Sequence, residues 1–138
     1  MRGRKRHILV DSRGLLLGIH LTAANLHDRR GAGQLLERYA ARFPKLGLIW
    51  ADRNYGGLFP AYALNFHNME VVLTVPEVLA NGHLVTQKRW VVERTFAWLG
   101  RNRRLSKDYE FLVRNSESWI YLAMSRLMWR RLARPRAT

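Results

Sequence analysis

At 138 residues the chain has the length of one ordinary domain, and its 48% hydrophobic content is enough for a core. A net charge of +14 is far more than solubility needs, so a polyanion is the leading partner, nucleic acid ahead of an anionic membrane. The absence of cysteine excludes disulfides and thiolate zinc sites, and the greasiest run, Leu15-Leu16-Leu17-Gly18-Ile19, is too short to span a bilayer.

The chain opens on Arg2, Arg4, Lys5 and Arg6, without the apolar core of a signal peptide, so a cytoplasmic protein is expected. Arg6 to Val10 reads as a short strand ending at Asp11, Ser12-Arg13-Gly14 as a turn, and Leu15 to Thr22 as a second strand, together a hairpin. Asn25 to Asp28 opens a helix to about Ala41, with Leu35, Leu36 and Tyr39 on its apolar side, until Phe43-Pro44-Lys45 breaks it. Leu46 to Ala51 is continuously apolar, which predicts a strand buried on both faces.

Gly56-Gly57 is a loop, and Phe59 to Asn68 a second helix with Pro60 in its first turn. Glu70 to Val75 is a further strand, stopped by Pro76, and Glu77 to His83 is irregular. A third helix starts near Thr86 and carries Glu93. Arg101 to Glu110 is a basic connection. Asn115 or Ser116 then caps a last helix whose Trp119, Ile120, Ala123, Met124, Leu127 and Met128 share one face. Glu117 in its first turn and Arg130 and Arg131 in its last suit the helix dipole. This order predicts an α/β domain with a mixed sheet and flanking helices.

Two acids stand where chemistry is expected. Ligands of open α/β sheets gather beyond the C-terminal ends of strands, and Asp52 ends the Leu48-Ile49-Trp50-Ala51 run. It either reaches a bound ion or simply caps the next loop. On the third helix, at about 100° per residue, Val91, Thr95 and Trp98 fall on one side and Arg89, Glu93, Ala97 and Gly100 on the other. Arg89 lies one turn before Glu93. The pair is either an exposed salt bridge or a metal ligand with a cation beside it for phosphate, and spacing leaves these even. Two carboxylates holding magnesium or manganese suit phosphodiester chemistry, because hard cations take oxygen ligands and a metal pair can serve both the attacking and the leaving oxygen. His7, His20, His27, His67 and His83 are scattered without ligand spacing, and Ser12 and Ser106 lack any triad context.

The cations fall into three groups. Arg2, Arg4, Lys5 and Arg6 precede the hairpin. Arg94, Arg101, Arg103, Arg104 and Lys107 follow the Glu93 helix and adjoin the acids, which makes them the DNA-binding candidates. Arg126, Arg130, Arg131, Arg134 and Arg136 end the chain, and the Arg126–Arg130–Arg134 repeat is equally a solvated stripe. Phosphate contacts of this type give affinity without sequence readout.

Four segments carry a resemblance. Arg4-Lys5-Arg6-His7-Ile8-Leu9-Val10-Asp11, Trp50-Ala51-Asp52, Arg89-Trp90-Val91-Val92-Glu93-Arg94-Thr95-Phe96-Ala97-Trp98-Leu99 and Arg103-Arg104-Leu105-Ser106-Lys107-Asp108-Tyr109-Glu110 resemble, in order, bacterial insertion-sequence transposases of the DDE superfamily. The resemblance implies a ribonuclease-H-like fold, magnesium-dependent cleavage at transposon ends and transfer of a 3′-hydroxyl into target DNA. Asp52 then corresponds to the second acid, Glu93 to the third, and Arg89 to the arginine of the family's Tyr–Arg–Glu–Lys pattern. Thr86 stands at that pattern's Tyr position and Gly100 at its Lys position, with Arg101 next door.

The family's first acid lies on a strand upstream of the Arg4 segment, and only Met1 to Gly3 precede that segment here. The expectation is therefore a partial catalytic domain over residues 1–138, a truncated ribonuclease-H-like fold with its first strand missing. Asp11 does not replace the absent acid, since it would stand at the opposite end of the sheet from Asp52, roughly 16 Å away. Such a chain is expected to be inactive alone and to need a complementing upstream segment or a second copy. The rival is a non-catalytic, basic DNA-binding remnant.

Overall fold

The hairpin forms where the sequence predicts it. In the computed structural model, which describes residues 3–134 other than 79, 83 and 87, β1 (Arg4–Val10) pairs antiparallel with β2 (Leu16–Ala23). Arg2, His83 and Arg136 lie outside the described residues. The Asp11 carboxylate closes the turn by accepting the Arg13 and Leu15 N–H groups at 2.9 Å each. That is an Asx-type turn, a structural role for this acid.

The hairpin is covered on both faces. On one side lies α1 (Asp28–Tyr39), burying Gly31, Ala32, Leu35, Leu36 and Tyr39. A single 3₁₀ turn, Ala40–Arg42, ends it before Pro44. Gly31 is required there, because a Cβ would lie 2.3 Å from His7 Nε2. On the other side Leu16, Ile19 and Leu21 pack with Leu99, Leu105, Ile120 and Met124 from the C-terminal helices.

β3 (Leu48–Asp52) and β4 (Glu70–Thr74) run parallel, in register from Leu48 opposite Glu70 to Asp52 opposite Thr74. Helix α2 (Phe59–His67) makes the crossover, with Pro60 in its first turn as expected and Asn68 in the left-handed region at its end. Phe59, Ala63 and Met69 pack on Ala32 and Leu36 of α1. The expectation that β3 is buried on both faces fails. Ile49 packs toward α1, but Leu48 is 46% and Trp50 40% exposed. Continuous apolarity implies two covering layers, and here one face has none.

Where residues 77–83 were expected to be irregular, a short antiparallel pair forms, β5 (Pro76–Val78) with β6 (Leu84–Thr86). Pro76 is tolerated as the first residue of its strand. The chain ends in α3 (Arg89–Gly100), a 3₁₀ turn at Arg103–Leu105, and α4 (Val113–Ala133). Neither Asn115 nor Ser116 caps α4. The helix already starts at Val113, and the buried Ser116 hydroxyl donates to Asp108 at 2.7 Å. Glu117 lies beyond the first turn, with its carboxylate buried. It accepts from Arg38 Nη1 at 2.8 Å and from the Leu21 N–H at 3.4 Å, tying α4 to α1 and β2.

The class is α/β, as expected, but the single mixed sheet is not present among the described residues. The six strands form three separate pairs. Helix α1 spans two of them, since Leu35 and Tyr39 touch Leu9 of β1 and Ile49 of β3 in one cluster. Leu9, near the end of β1, thus shares a cluster with residues at the start of β3. Lys5, near the start of β1, lines a cavity with Arg53 and Asn54, just past the end of β3. The two strands are therefore oppositely directed, with Asp52 at the Lys5 end and Asp11 at the other.

Candidate active site and nucleic-acid interface

Asp52 ends β3 half-buried, as the strand pattern dictates. Its Oδ1 accepts the Asn54 N–H at 3.0 Å and so caps the 3₁₀ turn Arg53–Tyr55. Across the register, buried Thr74 donates its hydroxyl to the Ala51 carbonyl at 3.2 Å, locking the strand end. Behind it Tyr55 is held neutral. Burial, then the charges of Asp28 and Asp52, push its phenol up to about 12.

Glu93 projects from α3 as helical geometry predicts. Of the expected inner side Val91 and Thr95 are buried and Trp98 is half-buried, Leu99 is buried beside them, and Arg89, Glu93, Ala97 and Gly100 are exposed. Thr95 is fully buried and donates its hydroxyl to the Gly14 carbonyl at 2.6 Å, which anchors the helix to the β1–β2 turn. Glu93 Oε1 accepts from Arg89 Nε at 3.0 Å, with the two side chains 63% and 53% exposed.

Both acids thus make the local contacts that spacing alone allowed. No hydrogen bond joins them among the described residues. Beside them Lys88, at the start of α3, places its Nζ 5.8 Å from the centre of the Trp50 ring, two residues before Asp52. Among the described residues no group of three or more His, Asp or Glu side chains could hold a metal ion. A carboxylate pair suits a hard cation in chemistry but is short of oxygen ligands.

The cations divide differently from their grouping in sequence. Arg94 is half-buried, its guanidinium 4.6 Å from the Trp90 ring centre and 4.8 Å from that of Trp98, and it donates to the Arg13 carbonyl at 2.6 Å. Arg131 stacks on Trp98 from α4, at 4.5 Å. Arg104 donates to Glu110 at 2.7 Å and lies over Trp119. Arg101, Arg103 and Lys107 are exposed, and their side chains make no hydrogen bond or ion pair among the described residues, which leaves them free for phosphate.

The first basic group has an internal role that sequence reasoning missed. Arg4 donates to the carbonyls of Glu110 and Phe111, Arg6 to that of Leu105, and Lys5 to Asp28. No helix of the described residues is long and apolar enough to cross a membrane.

The model of the transposase DDE domain matches residues 1–128. A Burkholderia cepacia protein named for transposition of insertion sequence element IS402 is 32% identical over 142 residues, covering 96% of this chain and 65% of that protein. The transposase for insertion sequence element IS1106 of Neisseria meningitidis serogroup B is 28% identical over 119 residues, 79% of this chain and 40% of its own length. The chain therefore spans less than two thirds of each of these relatives. No solved structure matches it significantly. With a family match over nearly its whole length, this chain belongs to the transposase DDE domain family.

Proposed function

We propose that the chain is a portion of an insertion-sequence transposase, acting in the cytoplasm on DNA at transposon ends and in the target. The observation that carries this reading is the family match over residues 1–128, with an acid at the end of β3 and another on the exposed face of α3. In it Asp52 and Glu93 each offer a second carboxylate oxygen to magnesium or manganese, and Arg89 holds the Glu93 carboxylate and faces phosphate. The metal would supply Lewis-acid activation of a phosphodiester. Because two carboxylates leave a hard cation under-liganded, the reading requires a further acid from a complementing transposase segment or a second copy.

The ribonuclease-H-like architecture belongs to the same proposal. Strands β1 and β3 are oppositely directed, lie under one helix and are not hydrogen-bonded to each other. One added strand seated between them would join both pairs into a single sheet. Arg101, Arg103 and Lys107 supply phosphate contacts beside α3.

The test is Mg²⁺-dependent nicking and joining of end-containing DNA, with the chain alone and with an upstream transposase segment added. Activity is expected only in the mixture, and Asp52→Asn or Glu93→Gln is expected to lower it by at least about 100-fold. Equal residual activity in both variants would remove these residues from the chemistry. The second reading, a non-catalytic DNA-holding protein, is favoured by the local engagement of both acids, and would be upheld by DNA binding without metal-dependent cleavage in the mixture.

A further inference from the structure

We propose that the cavity between the start of β1, the first turn of α1 and the loop after β3 is a seat for a backbone phosphate of DNA. This rests on the DNA-acting role just proposed and adds a contact point at the Asp52 end of the molecule. The cavity has a volume of about 390 Å³, and its charged lining is Lys5, Asp28, Arg29 and Arg53, with Gly56 and Gly57 forming part of the wall. His27 and Asn54 complete it.

The charge in this cavity is unbalanced. Its one carboxylate, Asp28, is bound by Lys5 at 2.9 Å, and Lys5 also donates to the Leu26 carbonyl. The side chains of Arg29 and Arg53 make no hydrogen bond or ion pair among the described residues. Two uncommitted guanidinium groups on one concave surface suit an anion with several acceptor oxygens, and the planar fork of arginine matches phosphate better than a point charge does.

Arg29 also lies against the loop after β3. Gly57 adopts φ +73, and a Cβ there would lie 2.3 Å from Arg29 Nη1, so the guanidinium sits close over the loop backbone. Arg53 immediately follows Asp52. A phosphate seated here would bring a DNA strand alongside that acid. The lining is polar and charged, and none of it offers the apolar wall that a nucleoside or a lipid chain would need. A chain phosphate is the occupant that fits.

The experiment uses the full chain with Arg29→Gln and Arg53→Gln, singly and together, and a control of equal charge change, Lys45→Gln with Arg114→Gln, at exposed sites outside the cavity. Binding of a fluorescent DNA duplex is followed by anisotropy across a salt series. Because the two arginines are exposed, the variants should keep the wild-type unfolding midpoint. The double variant is expected to bind about 10-fold or more weakly near 0.1 M salt, and the slope of log affinity against log salt should fall by about 1.8, the counterion release of two phosphate contacts. The control pair should leave that slope unchanged.

A wild-type chain that fails to bind DNA even at low salt would take down the transposase reading and this seat with it. Wild-type binding whose slope is the same in the double variant and the control would remove the seat alone. Inorganic phosphate, added at millimolar concentration and constant ionic strength, is expected to leave duplex affinity within about twofold of its value without it. Displacement of DNA at that concentration would make free phosphate the occupant and overturn the assignment to DNA.

Discussion

His7 shows how a single side chain ties sequence to stability. It is 2% exposed, with Nε2 2.9 Å from the Thr22 hydroxyl and Nδ1 3.3 Å from that of Tyr55. Burial is the main cause that lowers its pKa below the ordinary 6.5. Nearby Asp28 opposes the shift, and His20 and Lys5 reinforce it. The sign follows from linkage. The unfolded chain binds this proton first as pH falls, so the contribution of neutral His7 is complete above pH 6.5 and is lost as pH drops through 6.5 toward the folded value. The urea midpoint is expected to fall between about pH 7.5 and pH 5.5, a window that lies above most carboxylate titrations. A midpoint that stays level across that window would contradict the burial argument. The sequence marked His7 only as a histidine without ligand spacing. Its partners are Thr22 on the paired strand and Tyr55 in a distant loop, and periodicity carries no information about the latter.

At the scale of elements, α3 was the most legible. The 3.6-residue period alone separated Val91 and Thr95, which are buried, from Arg89, Glu93, Ala97 and Gly100, which are exposed. What the period could not give is the stack that fastens the helix, Trp90–Arg94–Trp98 with Arg131 from α4. Arg94→Ala removes two cation–π contacts and the bond to the Arg13 carbonyl, and is expected to destabilise the fold by about 1–2 kcal/mol. Arg94→Lys keeps the charge but not the planar stack, and should recover only part of the loss in a urea titration. A stability unchanged by Arg94→Ala would return this arginine to the surface group in which its sequence neighbours placed it. The internal role of the basic N-terminus was out of reach of local pattern: Arg4 and Arg6 find their acceptors 106 and 99 residues further along the chain. Ser116, one of the two N-cap candidates for α4, lies inside a helix that already starts at Val113, and its hydroxyl donates to Asp108 instead.

Across the whole molecule the unresolved tension lies in the strand pairs. Each described pair has two open edges, and a two-stranded unit is marginal unless helices cover it. Helices α1, α3 and α4 cover the β1–β2 hairpin, but β3 leaves Leu48 and Trp50 exposed. The isolated chain is expected to self-associate as concentration rises, with a sedimentation coefficient that climbs through the micromolar range. A complementing segment that supplies a strand should reverse the effect. A single monomeric species at about 100 μM would show that the open edges are already protected. The α/β class could be read from the alternation of periods, whereas the sheet count could not. Apolar runs say that a strand is buried but are silent on which neighbour buries it.

The placement of the tryptophans has a practical consequence. Four of the five indoles lie near a cation: Trp50 with Lys88, Trp90 and Trp98 with Arg94, Trp98 also with Arg131, and Trp119 with Arg104. Trp129 projects into solvent, 74% exposed. None of the five belongs to the hydrophobic clusters under α1. Ultraviolet emission from this protein therefore watches the surroundings of α3 and α4, and a Trp129→Phe background would turn that glow into an optical gauge of whether α3 remains seated when a nucleic acid or a second protein segment arrives.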